Sequence, residues 1–156
     1  MNARYKLFFW SSMVAILLLF GSFAFLFMSG FSFSLPNSTG DFISFDIKVF
    51  ELAFGHSPYP KISANPVLII ALSLQVFLLG ITVFSFFKKH ALLLIVNIIL
   101  TLVVFILYFF SPQLSFDGIN DAVNFTLGFG LPLMAITVFV AFLLSAVSYF
   151  AHPIRE

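Results

Sequence analysis

The chain has no cysteine. Disulfide frameworks, zinc–thiolate centres, iron–sulfur clusters and thiol catalysis are excluded together. The redox compartment stays open, because a protein without thiols suits either. Charge is scarce too. Seven Lys and Arg stand against six Asp and Glu over 156 residues, a formal net charge of +1. No basic surface is offered to nucleic acid. Tryptophan occurs once, against 25 phenylalanines. Only 8% of residues are charged and 62% are hydrophobic, whereas soluble domains carry about a quarter charged and about half apolar. That many bulky apolar groups could not all be hidden in a water-soluble core of this size. In lipid they need not be hidden.

Crossing the hydrocarbon core takes about 20 apolar residues in a helix. Four segments meet that length, at about 7–28, 66–87, 91–110 and 127–150, and none contains a charged residue. Proline punctuates this map. Asn65-Pro66 supplies an N-cap followed by proline at the first helical position. Ser111-Pro112 and His152-Pro153 are expected to end the third and fourth helices. Pro132 allows two readings: the fourth helix starts there, leaving Gly128 and Gly130 in a loop, or it starts earlier and kinks. The second is expected, with a start near Leu127 and a bend. Arg4 and Lys6 resemble the front of a signal peptide, but the apolar run is too long and lacks a small-x-small cleavage site, so the segment is read as a helix.

Lys and Arg in short loops set orientation. Arg4, Lys6, Lys88, Lys89 and Arg155 fall on one side, and only Lys48 and Lys61 on the other. Both termini are therefore expected in the cytoplasm, in a multi-pass protein of the cell membrane. Lys88-Lys89-His90 becomes a tight cytoplasmic hairpin.

Helices in lipid gain little from hydrophobicity and meet through small and polar residues. At about 100° per residue, Ser11, Ala15, Ser22 and Ser29 share one face of the first segment. Gly130, Thr137, Ala141, Ser145 and Ser148 share a face of the fourth. Gln75 and Thr82 line one face of the second, with Ser73 and Gly80 on the other, and Asn97, Thr101 and Tyr108 line up on the third. An amide left unsatisfied in hydrocarbon is costly. Gln75 is therefore expected to face inward and to bond across helices, with Thr101 or Asn97 as first partners. Gln75, Asn97 and Thr101 are the candidate interhelical polar contacts. A transport path through Gln75 and Asn97 is the sharper reading; interhelical adhesion is the plainer one, because the spans hold no ionisable acid or base.

Residues 29–65 form an outer loop too long for a simple connector. Phe31–Leu35 and Ile43–Val49 alternate apolar and polar, with the turn-rich Pro36–Asp41 between them. This reads as a two-stranded antiparallel ribbon resting on the helix ends. The rival is an amphipathic helix over 42–54, whose polar face Asp46 would spoil. Residues 50–54 can form a short helical turn, and Ser57–Pro60 a rigid elbow.

Three short stretches carry a resemblance: Phe45–Gly55, the Phe86-Phe-Lys-Lys89 hairpin and Leu127-Gly-Phe-Gly130. With them the chain resembles small four-span proteins of low-GC Gram-positive bacteria and their wall-less relatives. That group has no settled activity, so the resemblance implies topology and nothing catalytic. The layout is also similar to that of claudins, with four spans and a β-rich first outer loop. The outer loop lacks their Trp and paired Cys, and topology alone transfers no function.

The outer polar residues do not gather by regular geometry. Asp41, Asp46, Glu51 and His56 are five apart, about 140° around a helix and an odd step along a strand. Asp117 and Asp121 could share a helical face, and with His56 could hold a cation, but no loop built for calcium is evident. No metal site, cofactor or catalytic group is expected. Asn37-Ser-Thr39 and Asn124-Phe-Thr126 match the glycosylation pattern, which has no meaning in a bacterium. Phe50, Phe54 and His56 are the candidate outer-surface contacts, provided the aromatics are exposed. The sequence thus predicts an all-α membrane protein in one integral membrane domain. It is a four-transmembrane-helix bundle with a small two-stranded β ribbon in the first extracellular loop. Its expected surroundings are the lipid bilayer and a membrane-protein partner or further copies of itself. Its expected role is that of a non-catalytic accessory or interaction subunit. The alternative is a small transporter or channel component acting as an oligomer.

Overall fold

A computed structural model of the chain describes residues 3–36, 41–55, 63–88, 90–115 and 124–152. Four helical stretches are long and apolar enough to cross a membrane: Ala3–Phe27, Pro66–Lys88, Ala91–Ser111 and Gly130–Phe150. The first is α1 (Ala3–Gly21) continued by a 3-10 segment (Ser22–Phe27). A ribbon of β1 (Ser29–Pro36) and β2 (Phe42–Lys48) follows, then a short α2 (Val49–Phe54). α3 (Pro66–Lys88) and α4 (Ala91–Ser115) form a tight hairpin. β3 (Asn124–Leu127) leads into α5 (Gly130–Phe150). The long helices close a ring in which α1 touches α3 and α5, and α4 touches the same two from the opposite corner. The chain is a multi-pass helical membrane protein with a small sheet at one end, here called the cap side.

Sequence explains most of these boundaries. Asn65 caps α3 as read: its Oδ1 accepts from Val67 N at 3.0 Å and Leu68 N at 3.3 Å, and Pro66 opens the helix. Gly55 ends α2 at φ 88°, a backbone angle that side chains resist. Glu51 turns back so that Lys48 N donates to its Oε2 at 2.9 Å, closing the first turn of α2.

Three helix ends depart from expectation. The first span does not stay α-helical to residue 28; it tightens at Ser22, whose Oγ donates to Leu19 O at 2.7 Å. The third helix does not stop at Ser111-Pro112 but continues to Ser115. Proline removes the N–H that would reach Tyr108 O, and Ser111 Oγ donates to that carbonyl instead, at 2.9 Å. The fourth helix starts at Gly130 and not near Leu127, which is the last residue of β3. Pro132 then falls in the first turn, where N–H groups have no intrahelical partner and proline costs little.

The ribbon gains a third strand. The sheet order is β2-β1-β3, antiparallel throughout, with Phe33 opposite Phe45 on one side and Phe125 on the other. Period two sends Phe31, Phe33 and Ile47 inward, where they are buried, and leaves Ser32, Ser34, Ser44 and Asp46 on the other face. A strand of four residues lies below the length at which alternation can be read, so the sequence pattern does not declare Asn124–Leu127.

One hydrophobic cluster joins cap and bundle, running from Leu78 and Val104 through Leu68 and Leu131 to Phe31, Phe33 and Ile47. A smaller one, Phe8, Leu94 and Ala151, closes the opposite end. Between sheet and helices the backbones nearly touch. Gly128 N donates to Gly30 O at 2.9 Å, and a Cβ on Gly128 would lie 2.3 Å from Ser29 O. Only glycine permits this approach.

Candidate functional site

The polar side chains inside the bundle fall into three levels. Nearest the cap, Gln75 on α3 is fully buried. Its Nε2 donates to Leu19 O at 3.2 Å and to Ser22 Oγ, and its Oε1 accepts from the hydroxyl of Tyr108 on α4. One amide thus ties three spans at the point where the first changes helix type. At that junction Leu19 O accepts from both Gln75 Nε2 and Ser22 Oγ.

The second level lies about two turns deeper. Asn97 on α4 accepts from Thr82 Oγ1 on α3 at 2.8 Å and donates through Nδ2 to Ser145 Oγ on α5 at 3.1 Å. Thr82 Oγ1 is also 2.8 Å from Leu78 O on its own helix. At the third level Ser11 Oγ and Ser148 Oγ share a hydrogen bond of 2.7 Å, and Ser12 Oγ donates to Ser148 Oγ at 3.0 Å, joining α1 to α5.

Gln75 and Asn97 both bond across helices, but not to each other, and Thr101 does not cross at all. It is buried and donates to Asn97 O at 2.6 Å within its own helix. The expected pairing of Gln75 with Thr101 or Asn97 is not formed: Gln75 meets Tyr108, and Asn97 meets Thr82 and Ser145. Every Cβ tilts toward its own helix N-terminus. On antiparallel neighbours Gln75 leans away from the hairpin while Tyr108 leans toward it, so they meet although Tyr108 is further along. Tyr108 was legible as a member of the polar stripe but not as this partner.

The small-residue faces are packed within the chain. Ser11, Ala15, Ser22, Ala141, Ser145 and Ser148 are all buried. The bundle itself occupies them. Ser73 and Gly80 face outward as expected, and Ser73 Oγ donates to Ile69 O at 2.8 Å. Among the described residues no buried side-chain polar atom lacks a hydrogen bond. The groups in these levels are neutral amides, hydroxyls and one phenol, of the kind that bond helix to helix in lipid.

The cap's polar face is knit across strands. Ser29 Oγ and Ser32 Oγ both donate to Asp46 Oδ1, the latter at 3.0 Å, and Ser34 and Ser44 share a bond of 3.2 Å. Asp46 therefore braces the ribbon, while Glu51 caps α2. Among the described residues no three of His, Asp or Glu come together as a metal site would require. His56, Asp117 and Asp121 lie outside the described residues. Phe50 and Phe54 are exposed, at 46% and 53%, and their rings meet at 4.9 Å. Phe27 extends this pair, with its ring 6.5 Å from that of Phe50.

These features define a class: a multi-pass helical membrane protein whose four spans are joined by neutral polar side chains and topped by a three-stranded sheet. No family model, curated protein or solved structure matches the chain.

Proposed function

We propose that the protein is a non-catalytic accessory or interaction subunit of the cell membrane, with both termini in the cytoplasm and the cap outside. One observation carries this reading. The buried polar side chains of the bundle are satisfied within it, across helices at Gln75, Asn97 and Ser148 and on their own helix at Thr101, so the interior reads as a scaffold. Among the described residues Arg4, Lys6 and Lys88 lie on the hairpin side and Lys48 on the cap side, which supports the orientation. The likeness of three short stretches to four-span bacterial proteins supports the cell membrane.

Purification of tagged protein from its native membrane in mild detergent tests the role. A stoichiometric foreign subunit supports it. A homo-oligomer with nothing else attached favours the oligomeric transporter, and flux assays would then decide. Orientation is accessible because the chain has no cysteine of its own. In intact cells S44C should react with a membrane-impermeant maleimide and H90C should not. The reverse pattern would invert the topology.

A further inference from the structure

The first span presents a continuous stripe to lipid: Met13, Leu17 and Phe20 are exposed at helical spacing, and Phe27 ends the stripe at 69% exposed. The stripe does not stop with the span. The ring of Phe27 meets that of Phe50, and Phe50 meets Phe54 one turn along α2. α2 is divided lengthwise, with Val49, Leu52 and Ala53 buried against the bundle and Phe50 and Phe54 facing out. The charged group within α2 is turned elsewhere, since Glu51 accepts from the Lys48 backbone N–H. The helix starts beside the end of the first span, where Val49 N donates to Met28 O at 3.1 Å.

We propose that Phe27, Phe50 and Phe54 form an interfacial anchor, immersed at the acyl-chain end of the cap-side leaflet, so that α2 lies in the membrane surface and not in water. The occupant of this apolar patch is lipid, because the patch continues the surface that the first span already turns to lipid. Short amphipathic helices with outward aromatics lie in this way, about 5–10 Å into the boundary between headgroups and chains. In water three clustered rings would stay solvated, a cost that immersion at the bilayer edge relieves. Lys48, exposed at the start of α2, stands where a lysine can keep its charge among headgroups. The anchor adds a second hold, beside the buried Val49, Leu52 and Ala53, on a six-residue helix too short to be stable alone.

Depth-resolved fluorescence quenching tests this. The native Trp10 is 63% exposed on the lipid-facing side of α1 and serves as the reference in the unmodified protein. In a W10F background, F50W and F54W are each reconstituted in phosphatidylcholine vesicles, with and without lipid brominated near the headgroup end of its acyl chains. Both variants should lose at least the fraction of emission that Trp10 loses, and both should resist aqueous iodide. Quenching by iodide with no effect of brominated lipid would place the patch in water and overturn the anchor. Resistance to both quenchers would show the patch covered by a second copy, and would overturn it equally.

Discussion

The bundle interior and the cap solve opposite problems. Inside the bundle the backbone is satisfied by the helices themselves, and lipid outside is as apolar as leucine, so hydrophobicity does little to choose one packing over another. Choice is made by a few side chains: Gln75, Asn97 and Ser148, each reaching a different helix. In the cap the backbone does the joining. Ladder hydrogen bonds link three strands, and glycine lets strand and helix backbones approach until a Cβ no longer fits. Its inward phenylalanines bury apolar surface against the helix ends, as a water-facing sheet must. The comparison teaches that in lipid an amide is a specific joint, whereas at the membrane edge the absence of a side chain is.

That contrast can be broken most severely at Gly128. Gly128→Val would drive a side chain into the Ser29 backbone, and destabilisation of about 3 kcal/mol is expected. Hydrogen exchange should show β1 and β3 amides losing protection while amides of α3 and α4 keep theirs. Uniform loss would mean that cap and bundle are one cooperative unit. Gln75→Leu should act in the opposite region. It deprives the Tyr108 hydroxyl and Leu19 carbonyl of a partner, for about 2 kcal/mol in an SDS titration of mixed micelles. Asn97→Leu should cost about 1 kcal/mol, and the double variant should be additive if the two levels are independent. The smallest effect is expected at Asp46→Ala, about 0.5 kcal/mol, since Asp46 is exposed and its half-buried serine partners can still bond each other.

The spans, the N-cap at Asn65 and the inward faces of Gln75, Asn97 and Tyr108 could be read from the sequence because each rests on local physics: length, a dipeptide, or helical period. The ribbon could be read because alternation over Phe31–Leu35 and Ile43–Val49 is long enough to see. Which polar groups meet could not. Gln75 finds Tyr108 through side-chain lean on antiparallel helices, and Ser22 through a change of helix type. Neither leaves a periodic trace. The continuation of α4 past Pro112 was hidden for a related reason: Ser111 replaces the missing donor, and a serine before a proline looks like a stop. Exposure of Phe50 and Phe54 depends on which side of α2 meets the bundle, which a six-residue helix does not declare.

The 3-10 segment also works as a length adjuster. Ser12 and Ser148 mark a common height on α1 and α5. From there to Gly130, α5 climbs about 27 Å at the α-helical rise. Built as α-helix throughout, the first span would reach only about 23 Å at Phe27 over the same interval. Six residues at the steeper 3-10 rise bring it to about 26 Å, so the two helices finish nearly level. Ser29 then arrives beside Gly128 and Gly130, where strand and helix meet almost without clearance. Gln75 and Ser22 both donate to the Leu19 carbonyl, where the stretch begins. A buried amide in the middle of the membrane thus marks the point from which the height of the sheet is reckoned.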